Sequence, residues 1–552
     1  MEKTTHSKTL ADGERCLCCH NNPTLNKGTA FTMRERKEHS LRGLFPPSVE
    51  ALSLQAERVM KQIREESGPD LDKYSILQQL SVTNQTLFYK VLCDNVVELL
   101  PIVYTPTVGA ACINFDRIYR ASIGMYFSAE LDKGEFRDIL DNWPHPEVKI
   151  IVITDGGRIL GLGDLGTNGM GISIGKISLY VAGAGFHPKH SLPVCLDVGT
   201  NRKELLEDRF YLGSKTPRLQ GEEHMEVVEE FCMAVKDKWP HCLIQFEDFK
   251  TDRAFAILER MRDKVLCFND DIQGTGSVVL AGFINGMKAQ KADLKHSKVV
   301  FYGAGSSACG VAGMIVELLQ SEGLSRKEAL KAIYMVDTKG LITNTRGDKL
   351  APHKVPFART DGAPDMKELC AIIEYVKPNA LFGLSGGGTA FDKPIVRKLC
   401  DGCDRPLIFP LSNPTSKAEI TATDAYTFSD GKCIFAAGSP FDPVEYNGRT
   451  YYPGQGNNVF IFPGVGFGAV LAKAKKIPDT FFIEAAKELA DFVTTEEINA
   501  GKIYPSLKDL RNISLNIAVR VVNTAFDMDL AEIERPDDVT EFVKSAMYNP
   551  HY

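Results

Sequence analysis

The segment Lys298-Val-Val-Phe-Tyr-Gly303-Ala-Gly305-Ser-Ser-Ala308 decides the fold. A short apolar run of strand character breaks into Gly303-x-Gly305-x-x-Ala308, and a helical pattern then continues to about Gln320. This is the dinucleotide fingerprint with alanine in third place, a variant the pattern permits. Gly303 allows the tight turn and Gly305 allows close approach of a pyrophosphate. The helix N-terminus then faces the phosphates with its positive end. The next apolar run ends Tyr334-Met-Val-Asp337, and an acid in that place holds ribose hydroxyls. Asp337 lies farther along than the usual ~20 residues, so the first crossover must be long. Asp337 alone points to NAD. Lys339, Arg346 and Lys354 follow it, and each can pair with a 2′-phosphate or stay solvated.

Similar short runs recur on both sides of this segment. Lys149–Thr154, Leu243–Phe246, Val299–Tyr302, Ala332–Val336, Ala380–Gly383, Pro406–Phe409 and Cys433–Ala436 are short and mostly apolar. Such runs fit strands buried on both faces of a parallel sheet. Their alternation with helical stretches gives a doubly wound α/β architecture. Before them, Thr32 to about Arg120 has a helical pattern. In that block Ser48 is a candidate N-cap after Pro46-Pro47, and the run Ser81–Leu100 stops at Pro101. Residues 1–30 read as a mobile lead-in, and the charged stretch from Met528 reads as a surface extension or subunit contact. There is no fixed-period repeat.

Several turns carry chemistry. Thr154-Asp-Gly-Gly-Arg158-Ile-Leu-Gly-Leu-Gly-Asp164-Leu-Gly166 places a guanidinium in a glycine-dense turn after a strand. Arginine is shaped to hold a carboxylate by two parallel bonds, so a small acid is the expected ligand, and an ordinary hairpin is the alternative. Glu247 and Asp248 follow one strand, and Asp270 and Asp271 precede Gly274. Carboxylates at strand ends can converge on Mg²⁺ or Mn²⁺. The alternative is solvated turn acids, against which stand the flanking Phe246, Phe249 and Phe268. Lys176, in an apolar glycine-rich stretch, is a candidate base; a free lysine needs roughly 3–4 kcal/mol of help to act near neutrality. Tyr104, between prolines in Pro101-Ile-Val-Tyr-Thr-Pro106, is a candidate acid or a packing residue. Asn413, Asn457 and Asn458 sit in polar turns that can contact ligand or simply turn the chain.

Taken together, PIVYTPTVG, TDGGRILGLGDLG, LPVCLDVGT, QFEDF, FNDDIQGT, LSNPTS and GQGNNVFIFPG closely resemble the malic enzymes, from about Asn26 to the C-terminal region. The resemblance implies oxidative decarboxylation of L-malate to pyruvate and CO₂ with NAD(P) and Mg²⁺ or Mn²⁺. It implies Glu247, Asp248 and Asp271 as metal ligands and Asp270 as their neighbour beside Lys176. Lys176 would be the general base and Tyr104 the general acid. Arg158, Asn413, Asn457 and Asn458 would hold malate, with Asn413 also touching the cofactor. Gly303, Gly305, Ala308, Asp337, Thr338, Lys339, Arg346 and Lys354 would hold the nucleotide. A small Thr338 and Lys354, where NADP-using members carry lysine, favour NADP. Thr83 stands where fumarate-activated members carry arginine, so weak or no fumarate activation is expected. The implied fold is a helical domain (1–122), a central α/β domain (123–269 and 458–529), an inserted Rossmann-like domain (270–457) and a short extension (530–552). A homodimer or homotetramer is expected.

Composition bounds these readings. With 552 residues the chain needs several cores. A net charge of −7, from 64 basic and 71 acidic residues, argues against a nucleic-acid partner. No apolar run is read as reaching 18 residues, so no membrane span is expected. The N-terminus has no apolar signal core and carries Glu2, Asp12 and Glu14, which points to the cytoplasm, with the mitochondrion as the other compartment. The 14 cysteines read as reduced thiols. Cys16, Cys18, Cys19 and His20 could ligate zinc but lack a second ligand pair. Two other functions are compatible with parts of the pattern: malolactic decarboxylation without net cofactor reduction, and a catalytically silent cofactor-binding protein.

Overall fold

The computed structural model describes residues 18–413 and 415–552. They form two compact units, one of residues up to Ile123 with Tyr548–Tyr552, the other of Gly124–Met547. The zinc reading rests on Cys16 and on the Cys18 side chain, which lie outside the described residues. His20 packs edge-on to Phe45, ring centroids 5.2 Å apart.

The first unit is helical, with Leu52–Glu65, Asp70–Thr83, Gln85–Asp94, Val96–Val103 and Thr107–Ile113 as its main elements. In the first of these, Ala56, Met60 and Ile63 are buried at spacings of four and three, which is why it packs as a helix. Three sequence expectations fail locally. Ser48 is not the cap, because the helix begins only at Leu52. Its approach is held extended by the buried Arg36 guanidinium, which donates to Pro46 O at 2.6 Å and Ser48 O at 2.8 Å. Pro101 does not end its helix but lies inside it. The carbonyl its missing N–H would have met belongs to Val97, an exposed residue whose backbone water can reach. The mobile lead-in reading fails where it can be checked: Pro23 O accepts from Gln85 N at 2.9 Å and Lys27 O from Gln55 Nε2 at 2.9 Å, while residues 1–17 lie outside the described residues.

Val96–Ile113 does have the length and apolar composition of a membrane span, contrary to the expectation. It is folded as two helices broken between Val103 and Thr107, and more than half of it is buried in the protein.

The second unit contains two parallel sheets. In the first, β1 (Met125–Ser128), β2 (Ile150–Thr154), β3 (Ser191–Asp197), β4 (Leu243–Phe246) and β5 (Cys267–Asn269) lie in the order β1-β3-β2-β4-β5. β2 through β5 are buried along their whole length, as a sheet covered on both faces requires. The strand order reverses between β2 and β4, so a crevice opens at their carboxyl ends. In the second sheet, β6 (Val299–Tyr302), β7 (Ile333–Asp337), β8 (Gly340–Leu341), β9 (Ala380–Gly383), β10 (Leu407–Pro410), β11 (Ile434–Ala437) and β14 (Gly454–Gln455) lie in the order β14-β11-β10-β9-β6-β7-β8. Only β8 runs antiparallel to its neighbour. This is the dinucleotide order with its third strand reversed, and its switch point falls between β6 and β9. A small hairpin, β12 (Val444–Tyr446) with β13 (Arg449–Tyr451), stands apart.

The long first crossover is accounted for. After the helix Ser306–Ser321 comes a second short helix, Arg326–Leu330, with its own capping box from Ser325 and Glu328. Within 530–552, Val539–Ala546 is a helix with Val543 buried, and Tyr548–Tyr552 belongs to the helical unit. There Tyr552 Oη accepts from Asn84 Nδ2 at 2.6 Å.

Candidate active site

The crevice of the first sheet is built from the residues that follow its strands. Glu247 and Asp248 leave β4, and Asp271 leaves β5 one residue after Asp270. Glu247, Asp248 and Asp271 bring carboxylate oxygens within 4.8 Å of one another. Asp248 sits at φ +55, an uncommon backbone for a non-glycine residue, and its N–H donates to Asp271 Oδ2 at 2.8 Å. Burial lifts all three carboxyls above the ordinary range, Glu247 and Asp248 well above it. Mutual repulsion adds to the rise, and Lys176 opposes it. The buried Glu247 and Asp248 and the half-buried Asp271, crowded by one another and by Asp270, are a donor set short of positive charge. A hard divalent cation supplies what is missing, and oxygen-only ligands suit Mg²⁺ or Mn²⁺.

Lys176 lies on the helix Met170–Leu179 that follows β2, and is fully buried. Its Nζ pairs with Asp270 Oδ2 and lies 3.1 Å from Glu247 Oε1. It also sits 4.4 Å from the centre of the Phe462 ring. Asn458 Nδ2 donates to Asp270 Oδ2 at 2.9 Å and to Thr275 Oγ1 at 3.0 Å. Behind Glu247, Gln245 Nε2 donates to Glu247 Oε2 at 2.8 Å, and Tyr180 Oη donates to Gln245. The lysine therefore stands among acids whose orientations are all fixed.

Arg158, in the turn after β2, keeps an exposed side chain that reaches Thr251 Oγ1 at 3.1 Å. Its backbone N–H donates to Asp248 O at 3.1 Å, and Leu160 N donates to Asp248 Oδ2 at 3.0 Å. The turn that carries Arg158 thus also grips one of the three acids.

That turn is tied down by groups the sequence reading did not single out. Arg218 donates to both oxygens of Asp164, at 3.0 and 2.6 Å, and lies 3.2 Å from Asp155 Oδ2. His224 Nε2 is 2.8 Å from the same Asp155 oxygen. Burial pushes Asp155 and Asp164 up, but Arg218 prevails with help from His224 and neighbouring N–H groups, so both carboxyls end below the usual range. The only sequence signal for this knot was the surplus of acids in a glycine turn.

The second crevice fits a dinucleotide. Gly303 has φ +110, and a Cβ there would lie 2.5 Å from Leu384 O. Around Gly305 a Cβ would meet nothing within 4 Å, which leaves open space beside the turn where the helix Ser306–Ser321 begins. Ala308, in the first turn of that helix, is fully buried. Asp337 ends β7. Arg346 Nη1 and Nη2 donate to its two oxygens at 2.8 and 3.0 Å, and Lys354 Nζ lies 3.1 Å from Oδ2. Burial alone would raise this carboxyl, but Arg346, the Lys339 N–H and Lys354 hold it at about 2. Lys339 Nζ pairs instead with Asp348 at 3.0 Å, and Thr338 is exposed.

The remaining predicted residues are more scattered. Asn413, after β10, is exposed and accepts from Ser439 Oγ at 2.6 Å. Asn457 is buried, and its Oδ1 accepts from Val459 N at 3.0 Å. Tyr104 is buried at the end of the helix Val96–Val103, in the helical unit.

Two family models match the chain: the malic enzyme N-terminal domain over residues 81–262, and the malic enzyme NAD-binding domain over 272–526. The NADP-dependent malic enzyme of Dictyostelium discoideum is 49% identical over 96% of this chain and 97% of its own length. The mitochondrial NAD-dependent malic enzyme of Ascaris suum is 44% identical over 96% of this chain and 82% of its own. A crystal structure of Entamoeba histolytica malic enzyme shares the fold, with a TM-score of 0.58 at 23% identity, covering 92% of this chain and 90% of that one. With the two family models together matching most of its residues and a relative near half identity over almost its whole length, the chain belongs to the malic enzyme family.

Proposed function

We propose that this protein oxidatively decarboxylates L-malate to pyruvate and CO₂ with reduction of NADP. The observation that carries the reading is the junction of Glu247, Asp248 and Asp271 with the buried pair Lys176–Asp270, in a unit that also holds the dinucleotide turn. When bound, Mg²⁺ or Mn²⁺ supplies Lewis-acid polarisation of the substrate oxygen and NADP supplies the hydride acceptor. Lys176 takes the proton of the 2-hydroxyl. Asp270 and Glu247 fix where its amine points, and Asn458 fixes Asp270. Arg158 holds a substrate carboxylate, with Asn413, Asn457 and Asn458 completing the grip. Tyr104 takes its role, protonation of the product carbon, from its motif.

NADP is preferred over NAD because Arg346 and Lys354 take up the charge of Asp337. That removes an acid that would repel a 2′-phosphate and leaves cations beside it. A homodimer or homotetramer in the cytoplasm completes the proposal. The proposed domains are 1–122, 123–269 with 458–529, and 270–457, followed by a C-terminal extension, 530–552.

Absorbance at 340 nm tests this, with L-malate and Mn²⁺ and either NADP⁺ or NAD⁺. A rise mainly with NADP⁺ is expected. A rise mainly with NAD⁺ keeps the reaction and discards the cofactor preference, and lactate without reduced cofactor indicates malolactic chemistry. Lys176→Ala is expected to lose about 10³-fold in kcat, and an unchanged kcat would remove its role as base. Millimolar fumarate is expected to leave the velocity unchanged, since Thr83 stands where a cation would be needed; a several-fold rise would refute this.

A further inference from the structure

Glu419 takes no part in the chemistry above, yet it is fully buried and lies where three turns of the second sheet meet. Its Oε1 accepts from Ser385 N at 2.9 Å, Ser385 Oγ at 2.9 Å and Ser412 Oγ at 2.6 Å. Oε2 has no hydrogen-bond partner among the described residues, so all the side-chain bonding passes through one oxygen. The Glu419 carbonyl accepts from Ala390 N at 2.8 Å and Phe391 N at 3.0 Å. One residue therefore holds both ends of the turn that follows β9.

That turn is Ser385-Gly386-Gly387-Gly388, with exposed backbone and φ of +66 at Gly386 and +86 at Gly388. Gly386 N donates to Ser412 Oγ at 2.9 Å, which joins it to the turn after β10 that carries Asn413. On its other side, Leu384 and Ser385 back directly onto Gly303: a Cβ on Gly303 would lie 2.8 Å from Ser385 N. The turns after β6, β9 and β10 form a continuous rim, and the reversal between β6 and β9 is where such sheets bind ligand. Gly383 is part of the same arrangement, because a Cβ there would fall on the Glu419 carboxyl carbon.

Resting on the dinucleotide reading, we propose that Glu419 is a positioning residue for the cofactor. It pins the Ser385–Gly388 turn and the Ser412–Asn413 turn in register with Gly303, and so shapes the backbone surface the cofactor meets. The carboxylate meets its three donors with a full negative charge, an amide oxygen would meet them with only a partial one, and an aspartate is one methylene too short to reach them.

NADPH fluorescence titration of the purified full chain, without malate or cation, tests the proposal. Glu419→Asp is expected to weaken NADPH binding at least 10-fold, and Glu419→Gln only a few-fold. Gly383→Ala, which displaces Glu419 without altering it, is expected to follow Glu419→Asp. The melting temperature is expected to fall in Glu419→Asp and Gly383→Ala, which leave buried donors unmet, while Mn²⁺ affinity by electron paramagnetic resonance stays at the wild-type level across the set. Wild-type NADPH affinity in both Glu419→Asp and Gly383→Ala overturns the proposal. So does a parallel fall in NADPH affinity, Mn²⁺ affinity and melting temperature, since that marks a purely structural role. A wild-type chain that does not bind NADPH removes the dinucleotide reading itself and this inference with it.

Discussion

Two clusters of largely buried acids flank the same crevice and behave in opposite ways. Asp155 and Asp164 are matched by Arg218 and His224, and their carboxyls end below the usual range. Glu247, Asp248 and Asp271 share one lysine with Asp270, and their carboxyls end above it. Burial is the largest single influence in all five, so burial does not separate them; the supply of positive charge does. The first cluster is complete as the chain folds, and its work is to hold the Arg158 turn. On the proposed reading, the second is completed only by a divalent cation. Charge balance thus distinguishes a structural ion network from a binding site where composition and depth do not.

The sharpest way to break this comparison is to remove one acid or one base from each cluster. Asp271→Asn is expected to lose about 10³-fold in malate oxidation and to abolish the rise in melting temperature that Mn²⁺ gives the wild type. It is also expected to stabilise the cation-free protein by ~1 kcal/mol, because one repelling buried charge is gone. A fall in the cation-free melting temperature would show that the second cluster is structural too. Arg218→Met should do the reverse, costing about 3–5 kcal/mol by urea unfolding, since it strands two buried carboxylates. A loss under 1 kcal/mol would show that water already compensates them.

Smaller effects sharpen the comparison. Lys354→Ala is expected to raise the KM for NADP about 10-fold or more and leave the KM for NAD within two-fold, because only NADP carries the 2′-phosphate. Equal shifts would make Lys354 a general anchor. The least effect is in the pH dependence of stability. Asp155 and Asp164 have lowered values, so their contribution is present above the unfolded carboxyl range near ~4 and is lost as pH falls below it. The raised acids of the other cluster act the other way: the stability of the cation-free protein falls as pH rises above ~4 through their elevated values. The stabilisation by Mn²⁺ should therefore grow with pH, and a calorimetric series with and without Mn²⁺ reads both slopes. A Mn²⁺ effect that is flat with pH would separate cation binding from these acids.

What the sequence made legible was local. Gly303-x-Gly305 and the strand before it are contiguous, and so are Glu247 and Asp248 after β4, so pattern and spacing sufficed. The crossover to Asp337 was read as long from its spacing, and the helix Arg326–Leu330 fills it. What stayed hidden depended on distant partners. Arg218 meets Asp155 across 63 positions, and Glu419 meets Ser385 across 34, and neither pairing leaves a periodic trace. Short strands such as Met125–Ser128 and Cys267–Asn269 also escaped, because three or four residues carry too little pattern. The start at Leu52 went unread for a related reason: the residue that keeps the preceding chain extended, Arg36, lies outside any capping window.

The bond from Asn458 to Asp270 has a consequence for biosynthesis. The two residues are 188 positions apart, with the whole second sheet made in between. At ~5–20 residues per second, roughly 10–40 s separate their emergence from the ribosome. Phe462, against which the Lys176 amine lies, comes later still. A nascent chain that has finished its first sheet therefore holds a lysine and four acids with neither their clamp nor their apolar wall. The arrangement proposed as reactive is complete only once translation has passed the cofactor half, so a product truncated before Asn458 is expected to be silent rather than wasteful of malate.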